Sequence, residues 1–340
     1  MRRLLLLILV CAAAAWAFVW FIPTGPRAET FLEIAPGTSS RQIAFQLQRR
    51  HLIWSRYAFD ALRLVRRGTL KAGEYRFDHP VRLGEVYSRL QRGDVYTIAV
   101  TVPEGANMFD VAQRVEEAHL GTSAAFLRAV KGDVALVKDL DPAAVSLEGY
   151  LFPDTYRFPR IAKPDQIVAA MVKGFRQAAL SAHLLEPGRK GLKAPAADIH
   201  NIVTLASLIE RETPIPSERP MVASVFINRL AKGMPLDTDP SVIYAALLEG
   251  RYRGTIFHSD LEADSPYNTY KHAGLPPGPI CNPGLASLRA AMRPAQTDYL
   301  YFVAASADPS GHSRFSSTLE QQSANVQVYR QAVGRAGRVK

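Results

Sequence analysis

Read for apolar and polar positions, the chain opens with no alternation at all. From Leu4 to Ile22 it is uncharged and almost wholly apolar, and Pro23, Gly25 and Pro26 end the run. At about 1.5 Å per helical residue such a run spans a bilayer core of ~30 Å. Arg2 and Arg3 precede it and the bulk of the chain follows. The positive-inside tendency therefore predicts, for residues 1–26, a cytoplasmic N-terminus and a single transmembrane helix, with everything after Pro26 outside. Trp16 and Trp20 suit the outer interface. The competing reading is a cleaved signal peptide, whose apolar core runs only ~7 to 15 residues before a small-x-small site. Ala13 to Ala17 could supply that site, but the run continues through Phe18, Val19, Phe21 and Ile22, which favours a retained anchor.

After Thr30 short periodic segments take over. Phe31 to Ile34 reads as a strand, Pro36 and Gly37 as a turn, and Thr38 or Ser39 as the cap of a helix through Leu47. A related pattern returns 68 residues later: strand Ile98 to Val102, turn Pro103 to Gly105, helix Met108 to Val115, with Gly105 in the place of Gly37. Between the copies lie an amphipathic helix around Tyr57 to Val65, a strand Gly73 to Phe77 and a helix Leu83 to Leu90. The sequence therefore predicts a small α+β module over residues 27–100. Residues 101–196 carry the second copy and a helix from Asp165 to Leu180, with polar, Pro- and Gly-containing breaks around Lys163-Pro164 and from Glu186 to Gly191. Residues 197–340 are dense in helix, turn and special-residue signals, and the chemistry is expected there.

Composition narrows the class. Lys and Arg outnumber Asp and Glu by 41 to 31, which suits an anionic partner. The excess is scattered, and no arginine-aromatic motif marks a nucleic-acid binder, so none is expected. Two cysteines, Cys11 and Cys281, cannot build a disulfide framework, and the bulky Val10 before Cys11 argues against lipidation. The eight histidines show no paired ligand spacing, and neither a nucleophile elbow nor a phosphate or dinucleotide loop is present. No metal and no cofactor are expected.

One helix stands out. Asp198 can cap a helix that stops before Pro214, and on a helical wheel Ile202, Leu205, Ala206, Leu208 and Ile209 form one apolar stripe. Glu212 falls inside that stripe, whereas Arg211 points to the opposite face and Glu210 sits on the flank. A carboxyl on the inward side, near a helix C-terminus, is pushed toward its protonated form by desolvation and by the helix dipole. That is what a general acid requires at neutral pH. The bland alternative is a structural ion pair with Arg219 or another cation.

Around this helix the run Leu205-Ala-Ser-Leu-Ile-Glu-Arg-Glu-Thr213, followed by Ser217-Glu218-Arg219, closely resembles the endolytic murein transglycosylases of the MltG, or YceG-like, family. The resemblance extends to Val222-Ala-Ser-Val-Phe-Ile-Asn-Arg-Leu230 and Gly233-Met-Pro-Leu-Asp-Thr-Asp-Pro-Ser-Val-Ile-Tyr244. It continues through Tyr267-Asn-Thr-Tyr270, Gly274-Leu-Pro-Pro-Gly-Pro-Ile280, Asn282-Pro-Gly284 and Tyr299-Leu-Tyr-Phe-Val303, with Glu148-Gly-Tyr-Leu-Phe-Pro-Asp-Thr-Tyr156 upstream. It implies an α+β fold: the anchor, a LysM-like domain, and a catalytic domain at 197–340 related to lysozyme-type lytic transglycosylases. In that wider group a small hydroxyl residue follows the catalytic glutamate, which selects Glu212-Thr213 over Glu210-Arg211.

The resemblance implies that one glutamate protonates the glycosidic oxygen between N-acetylmuramic acid and N-acetylglucosamine. It then accepts the proton of the muramic C6 hydroxyl as that oxygen closes onto C1 to leave a 1,6-anhydro end. Tyr267 and Asn268 match the family's Tyr-Asn pair and are expected to bind substrate, with Thr238 and Asp239 in a loop beside the cleft and Tyr156 offering a face to a sugar ring. Tyr150 and Phe152 share that last expectation, against ordinary core packing as its alternative. Asp237 departs from the polar amide expected before Thr238 and adds a second acid near the cleft. The implied partners are peptidoglycan glycan strands, the inner membrane through one helix, and a peptidoglycan synthase, with the catalytic part on the periplasmic or extracellular side. Two other readings stay open: a hydrolytic muramidase, and a peptidoglycan-binding scaffold without activity.

Overall fold

The structure is a computed structural model and describes residues 10, 14, 17–26, 28–185, 198–306, 308 and 311–336. Most of the apolar run expected to cross the membrane lies outside these residues. Among the described residues no helix is long and apolar enough to cross a membrane. The end of the run, 17–21, is helical, and Trp20 packs against the core of the unit that follows.

The chain forms two compact units, 1–99 with 157–161, and 100–156 with 162–340. In the first, β1 (Thr30–Ile34) leads to α1 (Ser40–Arg49), α2 (Arg56–Arg66), β2 (Gly73–Phe77) and α3 (Leu83–Arg92). β1 and β2 pair antiparallel with Leu32 opposite Tyr75, and the alternate residues Leu32, Ile34, Tyr75 and Phe77 face inward. Ser39 starts α1 as part of a capping box: its hydroxyl accepts from the Gln42 N–H, while the Gln42 side chain accepts from the Ser39 N–H. The two inner strand faces meet Ile43, Ala44 and Leu47 of α1, Phe59 and Leu62 of α2, and Val86, Tyr87 and Leu90 of α3 in one core.

The repeat seen in the sequence is real at the level of local geometry. Gly37 and Gly105 both take left-handed backbone, at φ 83° and 78°, in the turns before α1 and α4 (Met108–Glu117). The two copies nevertheless serve different units, because β3 (Ile98–Thr101) carries the chain out of the first unit. After α4 the chain continues through α5 (Ser123–Gly132) to β4 (Thr155–Phe158), whose last two residues belong to the first unit, and then through α6 (Pro164–Ser181), α7 (Ile199–Glu212) and α8 (Arg219–Ala231) of the second. Then come α9 (Asp239–Leu248), the single turn α10 (His258–Leu261), α11 (Leu285–Met292), the antiparallel pair β5 (Tyr301–Ala304) and β6 (Ser313–Ser316), and α12 (Leu319–Ala336).

Residues 100–156 and 162–185 fall in the same compact unit as the helices from α7 onward: α6 packs on α11, and a buried Glu148–Asn282 hydrogen bond of 3.0 Å ties the loop before β4 to residues far along the chain. α7, for which the helical wheel predicts one apolar stripe, has no polar face over its middle. Every residue from Ile202 to Ile209 is buried, including Thr204 and Ser207, because α8, α9 and α11 pack around it. Asp198 caps it as expected, accepting from the Asn201 N–H at 2.7 Å.

Candidate active site

α7 is a buried strut, and a cleft opens where it ends. Its last helical residue is Glu212, followed by Thr213 in extended backbone and Pro214. The Glu212 carboxyl faces a cleft of about 200 Å3 lined by Phe226 and Arg229 of α8, Leu236, Asp237, Thr238 and Asp239 where the next loop enters α9, Tyr270, and Phe302 of β5. Burial pushes the Glu212 pKa up to about 7, and the Asp239 carboxylate adds to the rise, while Arg229 and Arg211 oppose it. Near neutral pH a large fraction of this carboxyl carries its proton.

Glu210, two residues earlier, is the structural glutamate. One of its oxygens takes the Arg219 guanidinium at 2.7 Å, and the other accepts from the Gly284 N–H at 2.9 Å. Arg219 is thereby committed to Glu210, with Glu104 at 3.4 Å on its outer side. The ion pair conceivable for Glu212 is thus made by its neighbour. Glu212 has no hydrogen-bond partner among the described residues and is open to a ligand.

Asp239 is the first residue of α9, with Pro240 behind it. Its Oδ1 accepts from the Tyr270 hydroxyl at 2.7 Å, which holds a carboxylate and a phenol together beside Glu212. Thr238 is buried, and its N–H donates to Thr269 Oγ1 at 3.0 Å, locking the loop to the segment that carries Tyr270. Asp237 adopts φ 53°, uncommon for a residue with a side chain, and its carboxylate takes one arm of Arg229 at 3.1 Å. Arg229 also donates to the carbonyls of Pro235, Leu236 and Leu300 at 2.7 to 3.1 Å, so a single guanidinium ties the loop to the end of β5.

Of the expected site residues, Glu212, Thr238 and Asp239 come together here. Asn268 is placed differently. Its side chain is completely buried, donating to the carbonyls of Leu261 and Ala263 at 2.9 and 2.8 Å and accepting from the Tyr270 N–H at 3.1 Å. It shapes the turn that presents Tyr270. Tyr267 packs against Tyr244 with the rings tilted and their centroids 5.1 Å apart, and burial raises its hydroxyl to about 12. Tyr156 donates to the Phe152 carbonyl at 2.6 Å and is not among the residues lining this cleft. Tyr150 is core, its ring edge-on to Phe175 and its hydroxyl on Asp141 at 2.5 Å. Tyr270, Arg229, Phe226 and Phe302 line the cleft without having been singled out, although all four lie inside the motifs that carried the resemblance.

The pocket thus offers a carboxylic acid poised near neutrality, a carboxylate held by a phenol, and two aromatic rings. This set can move one proton on and off an uncharged, polyhydroxylated substrate and shelter a developing positive charge.

An endolytic murein transglycosylase of Bacillus subtilis (strain 168) is 34% identical over 315 residues, covering 88% of this chain and 84% of the relative. The endolytic murein transglycosylase of Streptococcus pneumoniae serotype 2 is 29% identical over 80% of this chain, which spans 53% of that longer protein. A crystal structure of a yceG-like protein from Listeria monocytogenes superposes with a TM-score of 0.55 at 31% identity, covering 88% of this chain and 99% of that one. The pattern that defines the YceG-like family matches residues 32–328, which is most of the sequence, and the chain therefore belongs to the YceG-like family.

Proposed function

We propose that the protein is an endolytic peptidoglycan lytic transglycosylase, with Glu212 as its single acid and base. The observation that carries this reading is a carboxyl without a hydrogen-bond partner among the described residues, raised to about 7, at the mouth of a polar cleft in a family whose relatives bear that activity in their names. Protonated Glu212 gives its proton to the glycosidic oxygen between N-acetylmuramic acid and N-acetylglucosamine, and the C1–O bond breaks with its electron pair on that oxygen. The positive charge left at C1 and the ring oxygen is stabilised by the Asp239 carboxylate, which Tyr270 orients. The carboxylate of Glu212 then takes the proton of the C6 hydroxyl as that oxygen bonds to C1. The acid is restored, no water is consumed, and the new end is a 1,6-anhydro sugar.

The same reading places the chain at the inner membrane through the Leu4 to Ile22 run, with its cytoplasmic N-terminus and exported catalytic part, acting on nascent strands beside a synthase and ending their elongation. The β1-α1-α2-β2 order of the first unit supports its assignment as a LysM-like, wall-recognising module. Tyr267 and Asn268 act in this scheme by shaping the segment that presents Tyr270, and Thr238 by holding the loop of Asp239.

A hydrolytic muramidase is the second reading, favoured by the additional carboxylates of Asp237 and Asp239 in one cleft, since hydrolysis uses two acids. Mass spectrometry of products from purified glycan strands decides. Anhydro ends from the wild type, lost in Glu212→Gln, are expected. Reducing ends, heavier by one water, would mean hydrolysis, and anhydro products persisting in the variant would move the acid elsewhere.

A further inference from the structure

α2 of the first unit is apolar on two faces. Phe59 and Leu62 are buried in the core, while Tyr57, Leu64 and Val65 on the other side are 69, 79 and 80% exposed. At about 100° per residue, Tyr57, Ala61, Leu64 and Val65 fall within an arc of about 100° opposite the buried pair. A helix that needed only one core contact would carry polar residues there. One flank of the arc carries Asp60 and then Arg56 and Arg63, and Arg66 and Arg67 end the helix and its cap.

This face begins where the N-terminal apolar run ends. Trp54, directly before the Ser55 cap of α2, packs its ring on Phe18 at 5.1 Å and donates its indole N–H to the Ile22 carbonyl at 3.1 Å. Trp54, Phe18, Phe21 and Ile22 are all more than two-fifths exposed, so an aromatic collar surrounds the junction. A half-exposed tryptophan whose polar edge is already satisfied is at home at a membrane-water interface.

We infer that the Tyr57–Leu64–Val65 face of α2, together with the Trp54, Phe18 and Phe21 collar, seats the first unit on the lipid surface that the N-terminal run enters. The occupant is the phospholipid bilayer, chosen by continuity of the face with the apolar run and by the arginines, which pair with anionic headgroups. The inference rests on the membrane-anchor reading of Leu4 to Ile22.

The test is nitroxide accessibility in the full chain, reconstituted in bilayers containing anionic lipid. Leu64→Cys and Ile8→Cys are each labelled in a Cys11→Ser background, and Cys281 is left in place because it is buried. The expected result is that oxygen relaxes both labels more than a water-soluble nickel chelate does, more deeply at position 8 than at 64. A label at 64 relaxed mainly by the chelate, with position 8 still in lipid, overturns the docking face and leaves the anchor standing. Chelate dominance at both positions removes the anchor as well. Dipolar broadening at 64 with exclusion of both reagents would mean that a second copy covers the face, which also overturns the inference.

Discussion

Glu210 and Glu212 lie two positions apart on one helix, and their surroundings divide them. Glu210 is given a guanidinium and a backbone N–H, so its charge is paired where it is buried. Glu212 is given burial and a nearby carboxylate, which favour its neutral form. The pH dependence follows. The acid form is required, so kcat/KM on glycan strands should fall above pH ~7, by about tenfold per unit. In Asp239→Asn the like charge is gone, Glu212 ionises more easily, and the decline should begin at lower pH. A basic limb that stays in place in that variant would show that Asp239 does not act on Glu212. The wheel position of Glu212 was readable in the sequence because helical periodicity carries it. The partner of Arg219 was not, because an Arg nine residues from one Glu and seven from the other has no preference that spacing can express. Tyr270 was missed for a related reason: a three-residue difference along an irregular turn reverses which phenol faces the cleft, and the turn is set by the buried Asn268.

At the scale of elements, the cleft depends on segments that meet behind it. Glu148 accepts from the Met108 N–H at 2.8 Å and from Asn282 Nδ2 at 3.0 Å, while Asn282 Oδ1 accepts from the N–H groups of Gly149 and Leu151, both at 2.9 Å. Asn282 Nδ2 also donates to the Ala106 carbonyl at 2.8 Å, so one buried amide clamps three loops around the start of α4. Burial pushes the Glu148 carboxyl from an ordinary 4.5 up to about 8. The folded state therefore holds a proton that the unfolded chain releases. Its contribution to stability is fully present below about 4.5, declines as pH rises toward about 8, and stays lost above that. Urea midpoints measured across that range should fall with pH in the wild type and much less in Glu148→Gln. Equal slopes in the two proteins would remove Glu148 as the linked group. Glu148 and Asn282 both stand in motifs quoted from the sequence, but their pairing over 134 positions is a tertiary fact that no local pattern encodes.

For the molecule as a whole, the division between units does not follow the order of the chain. The elements of the first unit were readable from alternation and caps. What local pattern could not show is that the chain returns: residues 157–161 belong to the first unit. The returning Arg160 makes two bonds to Glu74, at 2.7 and 3.2 Å, and lies over the Phe31 ring at 3.8 Å from its centroid. Glu74 is on β2 and only 7% exposed, so without Arg160 its carboxylate would be left nearly buried and unpaired. Because the arginine side chain is itself about half exposed, the loss in Arg160→Ala should fall between that of a surface pair and a buried one, about 1 to 3 kcal/mol. Thermal unfolding of the full chain followed by Trp54 fluorescence, with Trp16 and Trp20 replaced by Phe, reads the first unit directly. Arg160→Ala should lower that transition, and Glu74→Gln combined with it should recover part of the loss, because the stranded charge is then gone. A fragment of residues 27–100 should be less stable than the same unit in the full chain. If the fragment matches the intact unit, the returning segment only rests on a module that was complete without it.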